Sequence, residues 1–449
     1  MEEKTIYELT PSQDVSYLQC KYTLFKRVIN ILSSITLDEE IDFEIMKNAF
    51  NLVVERNDCL RIKFFKKDKQ LKQYIDDAKP LTKIPVLSFA TEDAQMKFID
   101  RYKNKAIKYL KGKVIEPTFI KTFDNRYMVL LKVCHLVLDI YGINVIYKDL
   151  MDVYTALKDG KELPPKPGSF EEVMKKDIDK KHNDRLVDNN TEFFTNLLND
   201  NPEPYYTGLH GMDNAIWQKK LSKNHRGMQM FFINNDTKGY CHDIDAELVE
   251  RVIEYCKDHS CSPANFLFYT CSLTAAKLNN NTKHVLPLEL CNCRGTALEK
   301  KCAGTKVQSI ACYTKFNYDD NFENSLTNFA NNQTNLYRHI GFEDRDFETL
   351  LHKTYRSSWL ETYYSLTYSF IPMAMPKGVE FMVYSNGKCA LPAYIAQLYD
   401  VKTNNIRMAY DVQTKIITEQ NVADFHNKYL NVIKQVLDNP QITLKDIEL

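Results

Sequence analysis

Glycine is scarce in this chain, 13 residues in 449, or about 3% where ~7% is usual. The glycine-dependent phosphate cradles G-x-G-x-x-G and G-x-x-x-x-G-K-[ST] are missing, and so are G-x-S-x-G and H-E-x-x-H. A dinucleotide enzyme, a P-loop nucleotidase, an α/β-hydrolase and a zincin thereby lose their usual sequence support. Charge of one sign is lacking too. The 59 Lys and Arg are balanced by 59 Asp and Glu, which leaves no basic field for a phosphate backbone, so no nucleic-acid partner is expected. No run of about 18 uncharged apolar residues occurs, and the opening Met1-Glu2-Glu3-Lys4 is acidic and polar. Neither a membrane span nor a secretion signal is expected, and the expected location is the cytoplasm.

Cysteine is not lacking, with 12 residues, but its spacing is irregular and a chain of this length can bury a core without cross-links. Reduced thiols are expected. The densest group, Cys291, Cys293, Cys302 and Cys312, begins with Cys-x-Cys and not the Cys-x-x-Cys knuckle of a zinc site, so no metal is expected.

What is present is ordinary globular composition, 44% hydrophobic and 26% charged, with a length suited to two or three domains. Residues 42–57 place Ile45, Ala49, Leu52 and Val53 on one helical face, with Asp42 as N-cap. Leu60-Arg61-Ile62-Lys63-Phe64-Phe65 alternates like a half-buried strand, and 127–134 is a strongly β-like run. From Ile143 to Leu157 apolar residues recur at helical spacing. The segment 158–168 combines charge with Pro and Gly, the composition of a connector. A second α/β series follows, with helices at 245–258 and 262–278, strands at 283–290, 379–384 and 393–410, and a closing helix near 418–437.

His135 and Asp139 stand between the 127–134 strand and the 143–157 helix. Strand-to-helix junctions are where α/β proteins display catalytic groups. An imidazole there is mostly neutral near pH 7 and can accept a proton from an amine or hydroxyl. The same residues also fit a plain structural role, with a satisfied histidine at a strand end and Asp139 capping the next helix.

Taken in order, several segments resemble the condensation domain of nonribosomal peptide synthetases and the wider chloramphenicol-acetyltransferase-like superfamily. Leu9-Thr10-Pro11-Ser12-Gln13 is similar to the first family motif, and Arg56-Asn57-Asp58-Cys59-Leu60-Arg61-Ile62-Lys63-Phe64 to R-H-E-x-L-R-T-x-F. Cys134-His135-Leu136-Val137-Leu138-Asp139 stands where H-H-x-x-x-D-G is expected, and Glu192-Phe193-Phe194-Thr195-Asn196-Leu197-Leu198 resembles a Y-W-x-x-x-L helix. Asn292-Cys293-Arg294 with Gly304-Thr305-Lys306-Val307-Gln308-Ser309 resembles the arginine and G-x-F-V-N-T segment, and the C-terminal 439–449 the family's end.

The resemblance implies an α/β fold of two acetyltransferase-like lobes in a V with a central tunnel, residues 1–165 and 166–449, with a strand of the second part crossing back to the first. It implies an acyltransferase of the condensation type, forming an amide between a thioester-bound acyl or aminoacyl group and an amine. No bound cofactor is implied. The thioester would ride on the phosphopantetheinyl arm of a separate carrier protein, with the chain a free-standing monomer. His135 matches the catalytic histidine. Asp139 matches the motif aspartate, which needs a buried cationic partner; Arg61 is the expected one and Arg56 the alternative. Cys134, Ile140, Gly142 and Thr367 are the expected substrate-facing positions, Ile140 standing where the motif has glycine. Two other functions stay open: transfer to a free small hydroxyl or amine, and a domain that keeps the fold, has lost the reaction and recruits a partner.

Overall fold

The computed structural model describes residues 4–211, 226–230, 235–364, 366–373, 378–389 and 391–449. The chain forms two compact units. The first comprises Met1–Asn183, Asn292–Val307 and Met375–Gly387, and the second Asp184–Cys291, Gln308–Ala374 and Lys388–Leu449. The boundary expected near 165 therefore lies at 183, and 292–307 joins the first unit. The carboxylate of Asp58 explains part of this. It accepts from Ser169 Oγ (2.7 Å), the Phe170 N–H (2.8 Å) and the Glu171 N–H (3.0 Å), tying the start of the 170–181 helix to the first unit.

The first unit is built on a sheet of β1 (Asn30–Leu37), β4 (Val86–Ser88), β5 (Ile115–Lys121), β6 (Tyr127–Cys134) and the strand Val379–Tyr384. The order is 379–384, β1, β6, β5, β4. β1 runs antiparallel to both neighbours, with Leu37 opposite Tyr127 and Val379, and Asn30 opposite Cys134. A hairpin of β2 (Ile62–Lys67) and β3 (Gln70–Ile75) stands apart from that sheet. Its turn residues Asp68 and Lys69 both have positive φ, 51° and 64°, as a two-residue hairpin turn requires.

Because strand side chains alternate, the sheet has two apolar faces, and each is covered. On one lie α2 (Phe43–Arg56), capped by Asp42 as its spacing predicts, and α4 (Ile140–Asp159). Phe43 stacks on Phe119, and the Tyr147 hydroxyl donates to the Ser33 carbonyl at 2.9 Å. On the other lies α3 (Glu92–Lys103), whose Ile99 packs with Leu32, Ile120, Met128 and Leu130. Two further helices, α1 (Pro11–Tyr22) and α5 (Phe170–Lys181), complete the unit.

The second unit opens with α6 (Asp184–Asn199). Its six-stranded sheet contains β7 (Thr237–Ile244), β8 (Leu288–Asn292), β9 (Val307–Ala311), β10 (Thr367–Met373), β11 (Ala393–Asp400) and β12 (Asn405–Gln413). Their order is β9, β8, β10, β11, β12, β7. β10 is parallel to β8 and β11, while β12 is antiparallel to β11 and β7. Ser365, just ahead of β10, lies outside the described residues. The helices α7 (Ala246–Asp258), α8 (Pro263–Leu278) and α11 (Glu419–Asp438) pack together, as do α9 (Phe322–Arg338) with α8 and α10 (Asp344–Tyr355) with α6. Residues 266–276 of α8 are buried all round, as befits a central helix. Among the described residues, no helix is long and apolar enough to cross a membrane.

Candidate active site

β6 ends at Cys134 and the chain turns through His135–Asp139 into α4. The turn is pinned from several sides. The His135 N–H donates to the Ile29 carbonyl at 2.8 Å, and the Val137 N–H to the Cys134 carbonyl at 2.9 Å. Gln13 Nε2 donates to the Leu136 carbonyl at 2.9 Å. Gln13 is itself held by the N-cap of α1, where its Oε1 accepts from the Thr10 N–H at 2.9 Å and Gln73 Nε2 bonds the same oxygen at 2.6 Å. The Thr10–Gln13 segment is thus a capping box whose glutamine also grips the histidine turn.

His135 is partly exposed as a residue, and its Nδ1 lies 3.3 Å from the hydroxyl of buried Ser16 on α1. Burial lowers its pKa below the ordinary 6.5, opposed by a hydrogen bond to its own backbone and by the charge of Asp139. The ring is therefore neutral at pH 7, the form able to accept a proton.

Asp139 is 5% exposed and caps α4. Its carboxylate meets four donors: Gly142 N–H to Oδ1 (2.7 Å), Lys306 N–H to Oδ2 (2.7 Å), and Arg294 Nη1 to Oδ2 (2.9 Å) and Nη2 to Oδ1 (3.2 Å). Burial by itself would raise its pKa; the Arg294 charge and hydrogen bonds outweigh that and hold it below the ordinary carboxylate value. Arg294, also 5% exposed, donates from Nη2 to the Gly304 carbonyl at 2.7 Å and lies 4.6 Å above the Tyr141 ring. The next layer out is another buried cluster, in which Lys306 Nζ contacts both Asp177 oxygens at 2.8 Å and Glu299 at 3.2 Å.

The cationic partner of Asp139 is thus Arg294, which corrects the expectation of Arg61. Arg61 donates from Nη1 to the Asp76 carbonyl at 2.8 Å, bracing the end of the 62–75 hairpin. Arg56 is also engaged elsewhere. It pairs with Asp149 of α4 at 2.9 Å and donates to the carbonyls of Pro164 (3.0 Å) and Pro165 (2.7 Å), anchoring the connector. The sequence did mark Arg294 within Asn292-Cys293-Arg294; only the return of 292–307 to the first unit makes it the partner.

Two expected substrate-facing residues are structural. Cys134 is fully buried, and burial raises its thiol pKa far above the ordinary value. Its side chain faces the core because strand alternation puts it on the same face as Lys132 and Leu130. Gly142 sits where α4 touches the 304 backbone: a Cβ there would lie 2.4 Å from the Gly304 carbonyl oxygen. Ile140 is the first residue of α4, partly exposed and in helical conformation, so its backbone makes no demand for glycine. Thr367 opens β10 in the second unit, 5% exposed, and its Oγ1 has no hydrogen-bond partner.

Residues 3–358 match the condensation domain family, and the chain belongs to it. The fold is the two-lobe, chloramphenicol-acetyltransferase-like α/β fold of these domains. The chain is similar to the starter condensation domain of rhizomide synthetase, with TM-score 0.81 and 14% identity over 99% of this chain and 97% of that one. Similarity to the first condensation domain of the calcium-dependent antibiotic synthetase is comparable, with TM-score 0.80 and 14% identity over 99% of each. In sequence it is 23% identical over 164 residues to gramicidin S synthase 2 of Brevibacillus brevis, 35% of this chain. It is 26% identical over 141 residues to trichosetin synthetase of Gibberella fujikuroi, 30% of this chain. The matched part is about 4% of the length of each of these curated relatives. Condensation domains are acyltransferases that form amide bonds and need no bound cofactor.

Proposed function

We propose that this chain joins a carrier-bound acyl or aminoacyl thioester to an amine acceptor in nonribosomal peptide biosynthesis, with His135 as its catalytic residue. The observation that carries this reading is His135 on a turn locked by the buried Asp139–Arg294 pair, within a chain of the condensation family. The acceptor nitrogen hydrogen-bonds to His135 and attacks the thioester carbonyl. Its proton passes to the imidazole, and collapse of the tetrahedral intermediate breaks the C–S bond. The departing thiolate takes up that proton, so amide and free thiol are the products. The donor rides on the phosphopantetheinyl arm of a carrier supplied in trans, and the chain works as a cytoplasmic monomer.

The test is condensation of a carrier loaded with an aminoacyl thioester, followed by intact mass of the carriers. His135→Ala is expected to lower the rate by about 10²–10⁴-fold; equal rates would sink the assignment. A parallel arm with a free amine or alcohol in place of the second carrier decides whether the acceptor is a small molecule.

A further inference from the structure

Helix α7 ends in a turn unrelated to the His135 site. The His259 N–H still bonds the Tyr255 carbonyl at 3.1 Å, Ser260 then adopts left-handed φ of 51°, and the Cys261 N–H returns to the Cys256 carbonyl at 3.3 Å. With Asp258 as the last helical residue, Cys256 is the third residue from the end and Cys261 the second beyond the cap. A bond from the latter N–H to the former carbonyl defines a Schellman cap. That cap habitually brings the two flanking side chains into contact, most often as an apolar pair. Here both are thiols. Cys256 is 2% exposed, packed under the helix, whereas Cys261 is partly open to solvent.

We propose that Cys256 and Cys261 form a thiol–disulfide site, in which Cys261 is the oxidant-sensing sulfur and Cys256 the resolving one. Cys261 is the sulfur open to solvent and so to an oxidant, while Cys256 is withdrawn beneath the helix end, the arrangement this division of labour needs. With hydrogen peroxide as oxidant, the Cys261 thiolate attacks one peroxide oxygen and the O–O bond breaks. This gives a sulfenic acid and hydroxide, which leaves as water on taking up a proton. The Cys256 sulfur, losing its proton, then displaces hydroxide from the sulfenic sulfur. The S–S bond forms and a second water departs, the two thiols giving up two electrons and the peroxide accepting them. The bond would staple the end of α7 to Ser262, the N-cap of α8.

The test treats the whole protein with graded hydrogen peroxide, quenches with an alkylating agent and maps the cysteines by peptide mass. The expected result is a 256–261 link, two hydrogens lighter and reversed by dithiothreitol, at doses where exposed Cys241 gains oxygen and forms no link. In Cys256→Ala the Cys261 peptide should gain oxygen instead, and in Cys261→Ser the Cys256 thiol should stay unmodified at the same dose. Oxygenation of Cys261 in the wild type without a link, or a link from either residue to another cysteine, would overturn the proposal. The wild-type map decides it even if a variant folds poorly, and it does not depend on condensation activity.

Discussion

Arg294 and Asp139 are 155 residues apart in sequence and meet through two side-chain hydrogen bonds, both groups almost fully buried. The pair joins the returning segment 292–307 to the first turn of α4 and thereby sets the turn that carries His135. Removing one member of a buried pair leaves the other charge uncompensated, a loss of about 3–5 kcal/mol. Arg294→Ala is therefore expected to lower the urea midpoint and to speed hydrogen exchange across 134–142. Arg61→Ala, which removes one bond to the Asp76 carbonyl, is expected to cost about 1 kcal/mol and to leave exchange at that turn unchanged.

The acid limb of stability follows from the same pair. Asp139 has a folded pKa below its unfolded value of about 3.9, held there by Arg294 against burial. Its contribution is fully present above the unfolded value and is lost as pH falls through the folded one. Wild type is expected to lose stability in that acid window, and Arg294→Ala to show a shallower slope there. Urea titrations repeated between pH 5 and the acid transition, over about three pH units, measure this.

His135 has a lowered folded pKa through burial, so the folded protein keeps the neutral ring at pH values where the unfolded chain is protonated. Condensation rate is expected to stay on its plateau as pH falls through 6.5, the ordinary histidine value, and to decline only below it. A decline centred at or above that value would contradict a neutral, desolvated base.

Ser16 engages Nδ1 of the same ring, which leaves Nε2 available for the acceptor. Ser16→Ala is expected to lower kcat about fivefold, the equivalent of one ordinary hydrogen bond, with KM nearly unchanged and the pH profile displaced. A purely structural serine would lower the unfolding midpoint and leave the profile in place.

Glycine matters at 142 and 304, not at 140. A Cβ at Gly142 would collide with the Gly304 carbonyl, and Gly304 has φ of +138° with the Phe170 ring 2.2 Å from its own would-be Cβ. Gly142→Ala is expected to destabilise by about 1–3 kcal/mol and Gly304→Ala by more. Ile140→Gly, at the partly exposed start of a helix, is expected to cost under about 1 kcal/mol. Thermal melts of the three variants measure the ranking.

Much of the local structure is legible in the sequence. Asp42 caps α2 where the helical spacing predicts, β6 runs to Cys134, and His135 and Asp139 fall at the junction before α4. These follow from short-range chemistry: side-chain periodicity, capping and strand alternation act within a few residues. The same chemistry also places His135, the one residue of an otherwise buried turn that is partly exposed, just past Cys134 on the core-facing side of the strand.

The identity of the ion-pair partner is of another kind. From the sequence, Arg61 is the expected partner of the Asp139 carboxylate and Arg56 the alternative, both nearer to it along the chain than Arg294, and neither is the residue that pairs with it. Arg56 is taken by Asp149 and Arg61 by the Asp76 carbonyl, while Arg294 arrives through a segment that leaves the second unit and returns to the first. Gly142 and Ile140 divide likewise, since whether a position needs glycine depends on what lies beyond its missing Cβ. The sequence by itself determined the family resemblance, several of the elements and the place of His135 at a strand-to-helix turn. Tertiary structure alone decided which distant groups share the low-dielectric space around them, because a buried charge selects its partner by contact and not by separation along the chain.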